Sequence, residues 1–437
     1  MATRIVIVGG GFGGTAVAAR LERIFRRRRD VEIVLFDREN FSVFTPLLPE
    51  VPSGALEAKH IVSPLRARLR RTSVRQAEVR AIDTERRLVV AGHCPTCAEY
   101  VVEYDYLVLA LGSVTNFFGL PGVAERARTL KSLADGANLH HEVIGRFEHA
   151  DLDPDPAVRR RLLTFVVAGG GFAGVETAAE LNDFVRAARR YYPGIARDDV
   201  RVVLVHSGDR VLPEVSTSLS AYALGKLSSR GVEIRLGTRI LGCDGARIRL
   251  SAGGDIDGDM LIWTAGVSPH PLLATLGLPR ETNGRLAVDE HLRVRGRPGV
   301  FALGDCAAVR DPVTGALYPP TAQYAIRQGR VVADNVGAAV TGQPPRAFRY
   351  RPLGMLASLG RRSAVAEIVG VRFSGFVAWW LWRTIYLMKL PGVERKVRVM
   401  LDWTLDLFFT RDIVYLRGLA HVAAAPLAAA PRERTPA

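Results

Sequence analysis

Six glycines carry the first chemical signal in this chain of 437 residues. Gly9, Gly11 and Gly14 stand in GGGFGG after the apolar run RIVIV, and Gly169, Gly171 and Gly174 stand in GGGFAG after LTFVVA. Both follow the spacing G-x-G-x-x-G at a strand-to-helix junction. Glycine is needed there for a tight turn, for backbone N–H groups to reach a pyrophosphate, and for close packing of helix on strand. The helix that follows turns its positive end toward the phosphates. Phe12 and Gly13 in the first loop, and Phe172 in the second, belong to the same candidate contact set. One such loop is weak evidence. Two, each in strand–loop–helix context, point to two dinucleotides on one protein, and so to a hydride passing between them.

The loops need strands to hold them. The first unit is expected as strand Arg4–Val8, loop, helix Thr15–Arg27 and strand Val31–Phe36, ending at Asp37 with Arg38 beside it. A carboxylate at that strand end suits ribose hydroxyls. YDYLVLALGS (Tyr104–Ser113) is expected as a buried strand leading to Gly112, back in the same sheet. The second unit repeats the plan: strand Leu163–Ala168, loop, helix from Val175, strand Val200–His206, and LIWTAG (Leu261–Gly266), which echoes LVLALG. His206 stands where a ribose carboxylate would, so NADH and NADPH both stay open, with NADH favoured. A third buried strand, GVFALGDCAAV (Gly299–Val309), places Gly304 and Asp305 at its end. Pro319 and Pro320 open a helix that runs to Val336.

Composition sets the outer limits. Apolar residues make up 48% of the chain, enough for two or three domains. The net charge of +15 is spread as arginine along the whole length. The run Arg26–Arg29 reads as a solvated helix end, and no aromatic-interleaved basic module argues for nucleic acid. Attraction to an anionic membrane surface is the better use of this charge. No signal peptide is visible, and no run of about 18 uncharged apolar residues predicts a spanning helix. Four cysteines without a paired framework fit a reducing compartment. Cys94 and Cys97, with His93, offer three zinc ligands where a structural site wants four. A surface loop without metal is the preferred reading.

With these blocks in place, the chain resembles the pyridine-nucleotide-disulfide reductase superfamily and, within it, the type II NADH:quinone oxidoreductases. The pieces that carry the resemblance are FTPLLPEV (Phe44–Val51), GGGFAGVETAAEL (Gly169–Leu181), WTAGV (Trp263–Val267), GDCA (Gly304–Ala307) and TAQYAIRQG (Thr321–Gly329). The resemblance implies FAD on the first loop, with Gly112, Gly304 and Asp305, and NADH on the second, with His206 and Gly266. It implies a role for Glu176 in quinone reduction, and a quinone contact at Gln323, Tyr324 and Arg327. The family motif A-Q-x-A-x-Q has Arg327 in place of its second Gln. No redox cysteine pair follows Asp37, so electrons are expected to leave the flavin directly.

The C-terminal region bears on location. FVAWWLWRTIYLMKL (Phe376–Leu390) is apolar on nearly every face. In the next segment Arg395, Arg398, Asp402 and Asp406 form a narrow polar stripe opposite Val397, Met400, Leu401, Trp403, Leu407 and Phe408. Such a helix suits a membrane interface, with packing on the core or in a homodimer as the alternatives. The expected fold is α/β: two Rossmann-like dinucleotide-binding domains plus a C-terminal membrane-associating helical region. The boundaries are 1–118 and 288–345 for FAD, 119–287 for NAD(P)H, 346–417 for the membrane-associating part and 418–437 for a flexible tail. The expected protein is a peripheral enzyme on the cytoplasmic face of the cell membrane that passes electrons to a quinone without pumping protons. Two rivals are a soluble NAD(P)H reductase of a ferredoxin or other redox protein, and a slow-turnover flavin-binding sensor.

Overall fold

A computed structural model describes residues 2–93 and 98–416. The Cys94/Cys97 motif and the expected tail lie outside the described residues. Two five-stranded parallel sheets dominate. In the first, the spatial order is Val300–Ala302, Tyr106–Leu109, Thr3–Val8, Val31–Asp37, Ser73–Gln76. In the second it is Ala127–Thr129, Met260–Trp263, Thr164–Ala168, Arg201–Val205, Val232–Arg235. Central strands of such sheets are buried on both faces, so their sequences are continuously apolar rather than alternating. Ile5, Val6 and Ile7, and likewise Phe165, Val166 and Val167, are fully buried.

The fingerprint helices start earlier than the sequence suggests, at Phe12 and Phe172 rather than Thr15 and Val175. Gly11 and Gly171 are themselves the N-caps, so the turn takes fewer residues than a loop reading assigns. YDYLVLALGS does not form one strand. It pairs over Tyr106–Leu109, turns at Gly112 (φ +69°), and resumes as Ser113–Thr115. That short strand pairs antiparallel with Val267–Pro269, which follows the matching strand of the second sheet. The two units are thus tied by a ribbon made from their equivalent exits. The helix expected to span Pro319–Val336 runs Ala322–Thr341 and ends on Gly342 in the left-handed region (φ +69°).

The C-terminal unit is a three-stranded antiparallel sheet (Gly354–Ser358, Ala364–Ile368, Val371–Ser374) followed by helices Gly375–Lys389 and Val393–Phe408. It shares one core with the FTPLLPEV segment and the turn after it: Phe44, Leu47, Leu48 and Ile61 pack with Trp379, Trp382, Val399 and Trp403. Three members of the polar stripe, Arg395, Asp402 and Asp406, face the protein, while Arg398 stays exposed and pairs with Glu394. Arg395 donates to the Val62 carbonyl, Asp402 pairs with His60 at 2.6 Å, and Asp406 pairs with Arg411 at 2.8 Å. Trp403, expected on the outward apolar face, is 4% exposed, and Leu407 is half-buried. Polar groups accept burial where partners wait for them, and here the body of the protein supplies those partners. Val393, Val397, Met400, Leu401, Leu405 and Phe408 are left outside. No helix among the described residues is long and apolar enough to cross a membrane.

Candidate functional site

A cleft of about 2370 Å³ joins both glycine loops to the C-terminal unit. In the first loop Gly9 has φ +108°, and a Cβ there would stand 2.2 Å from the Ala110 carbonyl oxygen. A Cβ on Gly14 would stand 1.8 Å from the Gly9 oxygen, and one on Gly13 would stand 2.4 Å from Leu303 Cδ1. Gly11 and Gly112 differ: a Cβ on either meets nothing within 4 Å. Both line the cleft. The inner glycines close the turn, and the outer ones leave room for a ligand. Asp37 accepts from the Gly10 N–H and, at 2.8 Å, from Glu39 N. Burial raises its pKa. At the far wall Asp305 accepts from Ser113 Oγ at 2.6 Å, and Lys131 Nζ donates to the same hydroxyl at 2.8 Å. Gln328 Oε1 takes the Gly304 N–H at 2.7 Å, which fixes the Gly-Asp turn. This cradle, with space beside Gly11 and Gly112, fits the pyrophosphate of FAD.

The second loop is nearly superposable in its constraints. Gly169 has φ +111°, a Cβ on Gly174 would stand 1.8 Å from the Gly169 oxygen, and Gly171 is open to within 3.9 Å of Glu214. His206 Nδ1 accepts the Gly170 N–H at 3.1 Å, the place Asp37 holds in the first unit. Burial lowers the pKa of His206, which keeps it a neutral acceptor. Gly266 lies on the cleft wall, with Phe118 where its Cβ would stand.

Glu176 and Gln323 line the same cleft. The helix start at Phe172 puts Glu176 in the second turn, so the helix N-terminus does not account for it. It is 7% exposed. Its Oε1 accepts from Ser358 N at 2.9 Å and from Trp382 Nε1 at 3.2 Å. Burial pushes its pKa up to about 8 against the pull of those two donors. That rise favours the protonated form of a carboxyl at the cleft wall. Tyr350 OH donates to Gln323 Oε1 at 3.3 Å, and Arg327 lies over the Tyr350 ring at 5.3 Å. Tyr324 is buried against Tyr318 and Tyr350, so it braces this wall. The reading of the sequence missed Lys131, Gln328, Ser358 and Trp382. Nothing local marks them, since each gains its role from a partner far along the chain.

A protein with two dinucleotide loops facing one cleft is, by fold and site, a two-nucleotide reductase. Residues 3–329 match the pyridine nucleotide-disulphide oxidoreductase family, and residues 353–412 match the NDH2 C-terminal domain. The chain belongs to that oxidoreductase family and, within it, to the type II NADH:quinone oxidoreductases, with FAD and NADH as its cofactors. It is 34% identical over 426 residues to a type II NADH:quinone oxidoreductase of Mycobacterium tuberculosis, covering 93% of this chain and 89% of the relative. It is 32% identical to a demethylphylloquinone reductase of Synechocystis, covering 92% and 95%. Its fold matches NDH2 of Plasmodium falciparum, solved in complex with NADH, with a TM-score of 0.87, 19% identity, and coverage of 95% of this chain and all of that one.

Proposed function

We propose that this chain oxidises NADH and reduces a quinone drawn from the membrane, with Glu176 and Gln323 at the acceptor end and no proton pumping. The carrying observation is the buried Glu176, held by Ser358 N and Trp382 Nε1, at the wall of the cleft that also holds both dinucleotide loops. FAD, held by the first glycine loop with Gly112, Gly304 and Asp305, would supply the two-electron chemistry between NADH and the acceptor. The chain's own groups position the rings and move a proton. Glu176 holds its proton ready beside the cleft, and Gln323, oriented by Tyr350, presents an amide to a quinone oxygen. Arg327 stands one helical turn further on as a second donor.

The membrane reading rests on a pair of helices turned outward. Phe376, Val377, Trp380 and Met388 on the first, with Val397, Leu401, Leu405 and Phe408 on the second, are exposed. An apolar face of this size needs a cover. A bilayer also supplies the long-tailed acceptor, and basic residues such as Arg398 sit at its rim. The proposed location is accordingly peripheral, on the cytoplasmic face of the cell membrane. Purified protein assayed with NADH, NADPH and a short-chain quinone, beside co-sedimentation with anionic vesicles, tests the whole reading. Rapid turnover and co-sedimentation are expected. Turnover only with a protein acceptor, from protein that stays in the supernatant, would favour a soluble reductase.

A further inference from the structure

The second glycine loop has a carboxylate beside it that the proposed reaction does not use. Gly171 is the open position of that loop. Outside the neighbouring backbone, the one atom within 4 Å of a Cβ built there is Glu214 Oε1, at 3.9 Å. Glu214 is exposed, lines the cleft, and takes part in no hydrogen bond or ion pair among the described residues. Its backbone is fixed all the same. Leu212, fully buried with φ +49°, donates its N–H to the Gly170 oxygen at 2.7 Å. Arg210 donates to the Pro213 carbonyl at 2.7 Å and to the Thr217 hydroxyl at 3.1 Å, and Ser216 N donates to Glu367 at 3.1 Å. The segment from Arg210 to Ser216 is thus strapped against the glycine loop, with one acid at the space left for a nucleotide.

A dinucleotide offers few partners to a carboxylate. Its pyrophosphate has no proton to give and repels a second anion, whereas ribose hydroxyls donate. The usual acceptor for them is an acid at the end of the second strand, as at Asp37. His206, at the equivalent place, cannot take that part. Its Nδ1 already accepts the Gly170 N–H at 3.1 Å, so the proton of the neutral ring is on Nε2. Nε2 in turn lies over Gly208, 2.7 Å from where a Cβ would stand. Two acids face His206, Asp209 and Glu214, and of these Glu214 lines the cleft. No cation joins it there. From Gly169 to Ser216 the ionisable side chains on the cleft wall are Glu176 and Glu214. Arg210 is spent on its own segment, and Arg235 on Glu233 at 2.6 Å.

We infer that Glu214 stands in for the missing strand-end acid: it accepts the 2′-hydroxyl of the adenosine ribose of NADH and turns away the 2′-phosphate of NADPH. The effect is on binding, and no bond is made or broken. Both contributions have the same sign. NADPH loses the hydroxyl that donates, and it sets a second anion beside a fixed one with no arginine to offset it. The inference concerns the nucleotide that gives electrons and is independent of Glu176, Gln323 and the quinone.

The test uses full-length, FAD-loaded, oxidised protein and two probes that cannot react: ADP-ribose, and ADP-ribose carrying a phosphate on the adenosine 2′-oxygen. Calorimetric titration of the wild type should show a preference for plain ADP-ribose. Glu214→Ala should weaken ADP-ribose roughly tenfold, the scale of a hydrogen bond to a charged group, and should tighten the phosphorylated probe. Glu214→Gln keeps the size and an acceptor oxygen but not the charge, so it should retain most of the ADP-ribose affinity and lose the preference. FAD content and melting temperature should not move, since the side chain has no partner to lose. In anaerobic rapid mixing, the NADH concentration that half-saturates flavin reduction should rise in Glu214→Ala while the limiting rate holds. A ratio of the two probe affinities that is unchanged in both variants overturns the inference. So does a limiting rate that falls while the probe affinities hold, which would move Glu214 to the nicotinamide end. If Glu214→Ala weakens both probes alike, the side chain only shapes the pocket and the discrimination assigned to it is wrong. If Glu214→Ala loses FAD, the affinity ratio in Glu214→Gln decides alone.

Discussion

The two fingerprint helices start from the same loop and end in opposite surroundings. Seven residues past Gly9 and Gly169 come Ala16 and Glu176, and four further on come Arg20 and Glu180. In the first unit the helix Ala322–Thr341 lies across this face so closely that a Cβ on Gly329 would stand 2.6 Å from the Gly13 oxygen. Small residues are required, and Arg20 escapes to the surface to pair with Asp334 at 2.8 Å. In the second unit Ala173 replaces Gly13, and the covering pieces are FTPLLPEV and the C-terminal sheet and helices. They bring Ser358, Trp382 and Arg411, so acids are buried where the first unit has a half-buried alanine and an exposed arginine. The duplicated scaffold binds a nucleotide in either copy; the element packed on its helix decides whether chemistry is added.

The comparison breaks most sharply at the closing glycines. Gly14→Ala and Gly174→Ala each drive a Cβ into the loop's own carbonyl, a clash at the severe end of point mutations, above about 4 kcal/mol if unrelieved. Gly14→Ala should give colourless, poorly folded protein. Gly174→Ala should stay yellow and be reduced by dithionite but not by NADH. Flavin absorbance under each reductant decides. Gly11→Ala and Gly171→Ala, with open space at the Cβ, should fold normally and weaken only the corresponding nucleotide.

Next comes Glu176, the residue with no counterpart in the first unit. Glu176→Gln should slow flavin reoxidation by quinone roughly 10²-fold, and leave reduction by NADH alone. In the wild type, reoxidation should fall as pH rises through about 8, where the acid form is lost. The sign for stability follows from the same shift. The folded pKa lies above the ordinary 4.5, so the wild type loses stability as pH rises from there through about 8. Glu176→Gln should flatten that decline in a series of melting temperatures.

A smaller effect separates the two faces of the last helix. Leu401→Glu with Phe408→Glu changes two exposed residues and should abolish vesicle binding without moving the melting temperature. Trp403→Glu should instead destabilise the C-terminal unit, because it sets a third acid beside Glu50. Equal melting temperatures for the two variants would contradict the inward orientation of Trp403. The smallest effect is expected where the two units differ by one acceptor, Asp37 against His206. His206→Glu should raise the NADH-to-NADPH ratio of kcat/KM by about tenfold, near 1.4 kcal/mol. A wild type that already rejects NADPH by more than about 10⁴-fold would remove His206 from the account.

Some of this was legible in residue order alone. Glycine spacing, the apolar strands before each loop and the acidic end of Val31–Asp37 are local signals, because turn geometry and strand burial are fixed by neighbours in sequence. They gave two dinucleotide-type units, as the fold shows. Helical periodicity also found the stripe Arg395, Arg398, Asp402 and Asp406, but its direction was read backwards for all but the exposed Arg398. Periodicity says that a helix has two faces, and only the partners His60, Val62 and Arg411 say which one points inward. The same holds for Glu176. Its place near a fingerprint is a matter of sequence, whereas its raised pKa comes from burial that outweighs the donors Ser358 and Trp382, and the fold alone brings that burial about. Backbone turns are set within a few residues; the protonation of a buried acid is set by desolvation and charge summed over every element around it, and that sum exists only in the tertiary structure.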